Sequence, residues 1–350
     1  MISIQENVPL ADFTTFGVGG PARYFVEVGS EDELLDALGR AEQHSAPVFV
    51  LGGGSNLVVS DEGWRGLVIR IAMRGISESD ANGKRLFTAA AGEDWDAFVA
   101  HTVARNCAGM ECMSGIPGMV GGTPVQNVGA YGQEVSDTIT EVRCYDRTSR
   151  SMVTLTNTEC GFAYRTSIFN TSERERYIVT AVTYALTPNG APNVRYADLK
   201  KVFPEGAQPT LEQVRDAVRK IRASKGMLIQ EGDPDCHSAG SFFKNPIVTK
   251  QRFEELKPKL DGVGRSYTTY PAGDGHVKLS AAWLVENAGF TRGFGDGPVG
   301  ISSKHTLALI NRGRATAKDV ENFAKQVQAG VQERFGIELY SEPVFVGFAR

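Results

Sequence analysis

Three glycine-rich clusters within the first 122 residues constrain this chain more than any other feature of its sequence. They are Gly17-Val-Gly-Gly20, Leu51-Gly-Gly-Gly-Ser-Asn56 and Ser114-Gly-Ile-Pro-Gly-Met-Val-Gly-Gly122. Glycine permits positive φ angles and close approach of the backbone to a ligand, and successive free N–H groups can bind a pyrophosphate. One such cluster is most often a tight turn between strands. Three of them, close together in the sequence, favour a ligand-binding function.

Neither of the two common nucleotide-binding loops fits these clusters. A dinucleotide-binding Rossmann loop has the pattern G-x-G-x-x-G between a strand and a helix. Gly52, Gly53 and Gly54 follow a predicted strand, but Leu57-Val-Val59 predicts a second extended segment instead of a helix. A Walker loop ends in Gly-Lys-Ser or Gly-Lys-Thr, and no cluster has that ending. A nucleotide would therefore be bound by a different fold.

The hydrophobic periodicity predicts helices and strands in mixed order. Capping residues and apolar spacing predict helices that begin at Ser30 (a capping box), Asp94, Thr210 and Thr316, the last one ending at Gly336, and a further helix over 279–287. Strands are predicted over 47–51, 176–186 and 306–310. Because strands and helices do not alternate strictly, the predicted class is α+β.

Length and composition narrow the class of protein further. A chain of 350 residues is too long for one small core and predicts two or three domains. The net charge of -4 gives no support for a nucleic-acid partner. We see no signal peptide and no apolar stretch long enough to span a bilayer, so we expect a cytoplasmic protein without a membrane partner. The five scattered cysteines include no C-x-x-C pair, and H-E-x-x-H is absent, so we expect reduced thiols and no metal site.

The glycine clusters, taken with motifs further along the chain, resemble the UDP-N-acetylenolpyruvoylglucosamine reductase family. The resemblance covers nearly the whole chain, and Pro124-Val-Gln-Asn-Val-Gly-Ala-Tyr-Gly132 is its most specific segment. The other matching segments, in the family's order, are 14–20, 51–56, 115–118, 164–169, 239–246, 270–279 and Glu342.

This resemblance implies a fold and a reaction. It implies a FAD-binding domain of the vanillyl-alcohol-oxidase (PCMH) type in two subdomains, 1–75 and 76–225, and a C-terminal α+β substrate-binding domain, 226–350, whose last strand returns to the active site. The stretch 190–225 resembles an insertion of the family's longer form. The implied reaction passes a hydride from NADPH through FAD to the enolpyruvyl group of a UDP-sugar, in peptidoglycan precursor synthesis. A monomer is expected.

The resemblance also assigns catalytic roles. It implies that Ser241 donates a proton to the substrate, that Arg165 holds the substrate carboxylate and stabilises an enolate, and that Glu342 is a hydrogen-bonding or acid partner. Without the resemblance, Ser241 would be a residue of a Gly-Ser turn, Arg165 a surface cation and Glu342 a solvated carboxylate. Many members have an arginine two residues after the glutamate, where this chain has Val344.

Binding residues follow from the same comparison of motifs. Tyr196 matches a tyrosine that closes over the substrate in the longer form, and the other substrate-binding positions are Lys225, Asn245 and Tyr270. The cofactor-binding positions are Gly52, Gly53, Gly54, Ser55, Asn56, Ser114, Gly115, Gly118, Gly122, Val125, Gln126, Gly129 and Arg222.

Two alternatives remain open at this point. Another FAD-linked oxidase or dehydrogenase of the same superfamily would share the first half of the chain but not Ser241 in its motif. Many such oxidases link flavin through His or Cys, and no histidine lies in the glycine clusters. A non-catalytic nucleotide-sugar binding protein would keep the glycine loops and lose Arg165, Ser241 and Glu342.

Overall fold

The computed structural model describes residues 2–348 and contains seven α-helices in that range. They are α1 (Glu31–Gln43), α2 (Trp95–Ala104), α3 (Ala197–Val202), α4 (Leu211–Ser224), α5 (Lys250–Asp261), α6 (Ala281–Asn287) and α7 (Ala317–Phe335). Short 3-10 helices span Leu10–Phe13, Glu111–Met113, Val120–Gly122, Val135–Asp137 and Ile168–Asn170.

Twenty strands, many of them short, accompany these helices within residues 2–348. They are β1 (Gln5–Pro9), β2 (Pro21–Val28), β3 (Val48–Leu51), β4 (Leu57–Val59), β5 (Trp64–Ile71), β6 (Ile76–Ala81), β7 (Lys84–Ala90), β8 (Cys107–Ala108), β9 (Gly129–Ala130), β10 (Gln133–Glu134), β11 (Ile139–Asp146), β12 (Ser151–Thr156), β13 (Tyr177–Pro188), β14 (Ser238–Ser241), β15 (Ile247–Thr249), β16 (Thr269–Pro271), β17 (His276–Leu279), β18 (Val299–Ile301), β19 (Ala308–Asn311) and β20 (Val344–Val346).

The chain forms two compact units that are not continuous in sequence. The first, called here the N-terminal unit, contains the residues up to Val8, Ala22–Gly54 and Arg65–Ala223. The second, the C-terminal unit, contains Pro9–Pro21, Ser55–Trp64 and the chain from Ser224 onwards. Two early segments therefore belong to the unit that the last third of the chain builds.

The N-terminal unit contains two main sheets. One has the strand order β1-β2-β5-β3, with β3 and β5 parallel. The other has the order β12-β11-β13-β7-β6 and is antiparallel throughout, with β8 pairing to the end of β13. Helix α2 packs an aromatic face on this sheet, since the ring of Tyr184 lies 5.3 Å from Phe98 and 5.9 Å from Trp95, centroid to centroid. These rings are among the largest fully buried side chains of the unit.

The C-terminal unit is built on two three-stranded antiparallel sheets and a parallel pair of strands. The sheets have the orders β14-β19-β18 and β15-β17-β16, and β20 pairs with β4. Its core contains Phe16, Phe242, Phe243 and Phe335, each at most 1% exposed. Phe16 comes from an early segment, so the core of this unit is completed by residues from both ends of the chain.

Most helix ends agree with the sequence prediction because the capping chemistry is local. Ser30 Oγ accepts a hydrogen bond from Glu33 N, but Glu33 Oε2 accepts from Gly29 N instead of completing the box at Ser30. Helix α7 has a full capping box at Thr316, and Gly336 ends it with a left-handed φ of 70°. The start of the helix predicted over 279–287 is two residues too early, because Leu279 belongs to β17 and Ser280 is the N-cap of α6.

Two further predictions concern cysteines and membranes. All five cysteines are free thiols, and Cys107, Cys112, Cys144 and Cys160 are buried. Burial raises the pKa of Cys160 to about 12, so this thiol stays protonated at neutral pH. Between residues 2 and 348, no helix has the length and apolarity that crossing a bilayer requires.

Asp61 supplies an interaction that sequence reasoning did not anticipate, and it makes a testable contribution to stability. Its carboxylate accepts hydrogen bonds from the N–H groups of Ala317 (2.8 Å) and Lys318 (3.0 Å) at the start of α7. Asp61→Ala is expected to lower the free energy of unfolding by about 1 kcal/mol, because two helix N–H groups lose a negatively charged acceptor. Urea denaturation measures the change.

The control for this prediction is Glu254→Ala, which removes an exposed carboxylate on α5. It should change the free energy of unfolding by less than about 0.5 kcal/mol. Equal unfolding curves for Asp61→Ala and the unmodified protein would contradict the capping role.

Candidate active site

The glycine loops of the N-terminal unit contain two kinds of glycine. A Cβ added at Gly53 would lie 2.6 Å from Gly118 Cα, so these two loops touch only because the side chain is absent. Gly54, Gly115 and Gly118 have φ angles of 63°, 72° and 125°, which side chains rarely tolerate. The fold itself therefore explains these four glycines.

Gly52 and Gly122 have no such explanation. A Cβ added at either position would meet no atom within 4 Å, and neither residue has a positive φ. An open backbone surface beside a glycine is what close approach of a ligand requires. The loops thus fit the FAD that the sequence resemblance implies, with Gly52 and Gly122 as the positions at which a side chain would fill otherwise empty space.

The Ser114–Gly115 loop is held by charged residues from α2 and α4. Asp96 Oδ1 accepts from Gly115 N and from Arg215 Nη1, each at 2.6 Å, and Arg219 also donates to this carboxylate. Burial opposes the charge, but the bonds to Arg215 and Gly115 hold the pKa of Asp96 below its usual range. From the other side, Arg222 Nε donates to Gly115 O at 3.0 Å.

Arg222 is a buried cation, only 5% exposed. Burial lowers the pKa of its guanidinium, against the opposing influence of Tyr131 and Asp96. Because a guanidinium keeps its charge even when buried, Arg222 places a fixed positive charge next to the Gly115 backbone.

Arg165 is fastened to the segment that carries three of the predicted cofactor-binding residues, 125–129. Its Nη2 donates to Gly129 O at 2.7 Å and its Nη1 to Asn127 O at 3.4 Å. Ser167 Oγ adds a bond to Val125 O at 2.6 Å. A Cβ at Gly129 would lie 2.7 Å from Gln133 O and from Glu134 Cγ, so the pairing of β9 with β10 requires this glycine, and Arg165 Nη1 would lie 3.3 Å away.

The backbone of Arg165 has a φ of 53°. A left-handed conformation costs a non-glycine residue about 1–2 kcal/mol. Arg165 is the second residue of the two-residue turn between Ala163 and Thr166, which exchange both backbone hydrogen bonds, so this turn accounts for the conformation. Here the bonds to Asn127 and Gly129 fix the guanidinium while the residue stays half-buried.

Tyr196 lies at the start of α3 and remains 40% exposed. Its ring meets Tyr131 edge to face, with centroids 5.3 Å apart. The loop that carries it is anchored three residues earlier, where Asn193 N donates to the buried Glu111 Oε1 at 2.8 Å. Glu111 also accepts from Gln133 Nε2 at 2.9 Å, so one carboxylate joins this loop to the segment after Tyr131.

In the C-terminal unit, Ser241 and Glu342 lie on neighbouring segments. Ser241 ends β14, directly after Gly240, whose φ of 71° accompanies an irregular register with β19. Glu342 N donates to Phe242 O at 2.8 Å, and Asn56 Nδ2 donates to Glu342 O at 3.2 Å. Asn56 O accepts from Val344 N at 2.9 Å, so Asn56 holds the backbone on both sides of Pro343.

His305 is the neighbour of Ser241 that sequence reasoning missed. Its Nε2 lies 3.2 Å from Ser241 Oγ, within hydrogen-bonding distance. An isolated histidine in Ser302-Ser-Lys-His305 carries no motif, so only the pairing of β14 with β19 reveals it.

The remaining predicted positions are placed as follows. Asn245 Oδ1 accepts from Ala281 N, at the first residue of α6, at 2.9 Å. Tyr270 is 39% exposed on β16, with Lys278 Nζ 5.8 Å from its ring centroid. Lys225 is half-buried directly after α4, and Ser55 O accepts from Thr15 Oγ1 at 3.4 Å. Within residues 2–348, no group of three His, Cys, Asp or Glu side chains is arranged to hold a metal ion.

The two kinds of glycine predict different effects of alanine. Gly53→Ala should destabilise the protein by about 1–3 kcal/mol, because its Cβ would overlap Gly118. Gly52→Ala should leave stability within about 0.5 kcal/mol but weaken FAD binding by about tenfold or more, since its Cβ enters open space. Urea denaturation of the apoprotein and fluorescence titration with FAD separate the two effects.

Gly39→Ala on α1 is the matched control, because a Cβ there also meets no atom within 4 Å. It should leave the FAD affinity unchanged. Unchanged affinity in Gly52→Ala as well would refute the ligand-facing role of this loop.

Two family models match this chain. The family model described as FAD binding domain matches residues 22–154, and the model described as UDP-N-acetylenolpyruvoylglucosamine reductase, C-terminal domain, matches residues 233–346. These matches and the mixture of helices and strands confirm the predicted α+β class with a FAD-binding part followed by the family's C-terminal domain.

Individual relatives extend the match to the whole chain. The UDP-N-acetylenolpyruvoylglucosamine reductase of Thermobifida fusca is 49% identical, over 99% of this chain and 98% of its own. That of Streptomyces coelicolor is 47% identical, over 99% and 91%. The crystal structure of the enzyme from Thermus caldophilus is 26% identical, covers 99% of this chain and 100% of its own, and superposes with a TM-score of 0.68. This chain therefore belongs to the UDP-N-acetylenolpyruvoylglucosamine reductase family.

Proposed function

We propose that this protein reduces UDP-N-acetylglucosamine enolpyruvate to UDP-N-acetylmuramate, with NADPH as reductant and FAD as cofactor, in peptidoglycan precursor synthesis. The observation that carries the proposal is the joining of Ser241 and Glu342 through the bond from Glu342 N to Phe242 O, in a chain that matches this family from end to end. Both residues are half-buried, as groups that meet a bound substrate must be.

The reaction makes two demands on the side chains. When bound, FAD would supply the redox chemistry that carries a hydride from NADPH to the β-carbon of the enolpyruvyl group. Addition at the β-carbon moves negative charge toward the substrate carboxylate, and this enolate-like state needs a nearby positive charge. It also needs a proton at the α-carbon.

Arg165 and Ser241 are suited to these two demands. The Arg165 guanidinium is permanently charged, and its bonds to the carbonyls of Asn127 and Gly129 fix its orientation before substrate arrives. The Ser241 hydroxyl is a weak acid, so it gives its proton only to a strongly basic carbanion, as an enolate provides. Glu342 acts as the hydrogen-bonding or acid partner at the same carboxylate.

The cofactor would be held by the glycine loops. Gly52 and Gly122 offer open backbone surface, and Arg222 offers a buried positive charge beside Gly115. The remaining proposed cofactor-binding positions lie in the same loops or next to them, within 53–56, 114–118 and 125–129.

The UDP part of the substrate fits the exposed aromatic and cationic groups of the predicted binding positions. The ammonium group of Lys278 lies against the ring of Tyr270, and Lys225 supplies a second cation. Asn245 accepts a hydrogen bond from the first residue of α6, which begins shortly after Lys278 in the sequence. Tyr196, exposed on its anchored loop, is the residue we propose to close over the substrate. We further propose a cytoplasmic monomer. We propose two FAD-binding subdomains (1–75 and 76–225) and a substrate domain (226–350), with Pro9–Pro21 and Ser55–Trp64 as the parts of the first that belong to the C-terminal unit.

The role of Ser241 is tested by Ser241→Ala. NADPH should still reduce the bound flavin at a rate within about twofold of the unmodified enzyme, whereas transfer to the substrate should slow by about a hundredfold or more, because the proton donor is lost. Anaerobic stopped-flow absorbance follows both half-reactions.

Ser79→Ala, at an exposed position of β6, is the matched control and should leave both half-reactions unchanged. Near-normal substrate reduction by Ser241→Ala would rule out the serine as proton donor.

A further inference from the structure

His305 is a side chain that the C-terminal unit brings to Ser241 and that the proposed chemistry does not yet use. We infer that His305 positions Ser241 for proton donation, by donating a hydrogen bond from Nε2–H to Ser241 Oγ across the observed 3.2 Å. This inference rests on the proposed function, since it concerns the proton that Ser241 gives to the substrate.

The direction of this hydrogen bond decides what Ser241 can do. If the serine donated to the imidazole, its proton would be engaged, and the pair would resemble an activated nucleophile. If the imidazole donates, the serine proton is left for the substrate α-carbon. The O–H bond of Ser241 then breaks as the new C–H bond forms, and the alkoxide left behind keeps the Nε2–H bond until it takes a proton from solvent.

A hydrogen bond that strengthens as charge develops is the kind that accelerates a reaction. The bond from Nε2–H to a neutral hydroxyl is ordinary, but the same bond to an alkoxide is charge-assisted and roughly twice as strong. His305 would therefore stabilise the alkoxide that forms when the poorly acidic Ser241 loses its proton, which is the most difficult step for this residue.

The fold holds His305 at this distance from two directions. Ser241 pairs with Ala308 across β14 and β19, and Phe242 N donates to Leu307 O at 2.8 Å, which fixes the residues just after the histidine. On its other side, His305 N donates to Ser302 Oγ at 3.2 Å. The histidine is thus held by the same strand pairing that presents Ser241.

The turn from Ser302 to His305, which carries the imidazole, is anchored on a buried carboxylate. Asp235, 3% exposed, accepts from Ser302 Oγ at 3.0 Å, Ser303 Oγ at 2.7 Å and Ser303 N at 3.1 Å. Lys304 Nζ bonds to Asp233 Oδ2 at 2.7 Å. Such a satisfied network rigidifies the backbone, so the imidazole is presented with little freedom to move.

The test compares His305→Ala with His305→Gln, because the glutamine amide can place an N–H donor near the position of Nε2. In both variants, NADPH should reduce the bound flavin at a rate within about twofold of the unmodified enzyme. Reoxidation by UDP-N-acetylglucosamine enolpyruvate should slow by about ten- to a hundredfold in His305→Ala, as for loss of one donor to a developing oxyanion. His305→Gln should recover most of that loss.

A double-mutant cycle with Ser241→Ala separates positioning from general damage. If His305 acts through Ser241, adding His305→Ala to Ser241→Ala should produce little further loss. His44→Gln, an exposed histidine at the end of α1, is the matched control and should reoxidise normally. Thermal unfolding verifies that the variants are folded. If His305→Ala does not fold, His305→Gln provides the test.

Three results would overturn the inference: normal reoxidation in His305→Ala, equal losses in His305→Ala and His305→Gln, or the same loss from His305→Ala with and without Ser241. Failure of the proposed function looks different. In that case the reduced flavin of the unmodified enzyme would not be reoxidised by the UDP-sugar at all.

Discussion

The C-terminal unit depends on hydrogen bonds that tie the last residues of the chain to segments far earlier in the sequence. Strand β20 pairs with β4 in parallel, and Asn56 bonds to the backbone on both sides of Pro343. The bond from Glu342 N to Phe242 O then aligns this end of the chain with β14. Glu342 is thereby placed opposite Phe242, the residue that follows Ser241. The placement of Glu342 near Ser241, the two residues proposed to be catalytic, follows from this backbone pairing.

The glycine clusters show how one residue type serves two purposes in a nucleotide-binding fold. Gly53 and Gly118 permit two loops to touch, and Gly129 permits the close pairing of β9 with β10, so these glycines shape the loops from within the protein. Gly52 and Gly122 face open space and are suited to a ligand. A substitution can therefore impair flavin binding either by distorting the loops or by blocking the ligand directly, and the affected glycine indicates which.

Local signals were predictable from the sequence, and long-range ones were not. The ends of α7 follow from Thr316 and Gly336, whereas α5 was missed because its sequence is strongly charged and contains Pro258. Leu279 was assigned to α6 because an apolar residue fits a helix or a strand equally well, and only pairing with Thr269 decides for β17. The contact of His305 with Ser241 arises from tertiary structure and leaves no mark in the sequence. The positive φ of Arg165 arises locally, in the turn between Ala163 and Thr166. The roles of the site residues came from the family resemblance and stay predictions.

The visible absorption of the purified enzyme, followed without oxygen through two additions, tests the proposed reaction. Yellow flavin bands should bleach when NADPH is added and return only when UDP-N-acetylglucosamine enolpyruvate follows. That sequence of changes would establish cofactor, reductant and substrate in one sample. A folded protein that takes up no FAD, or whose reduced flavin does not respond to the UDP-sugar, would contradict the central claim.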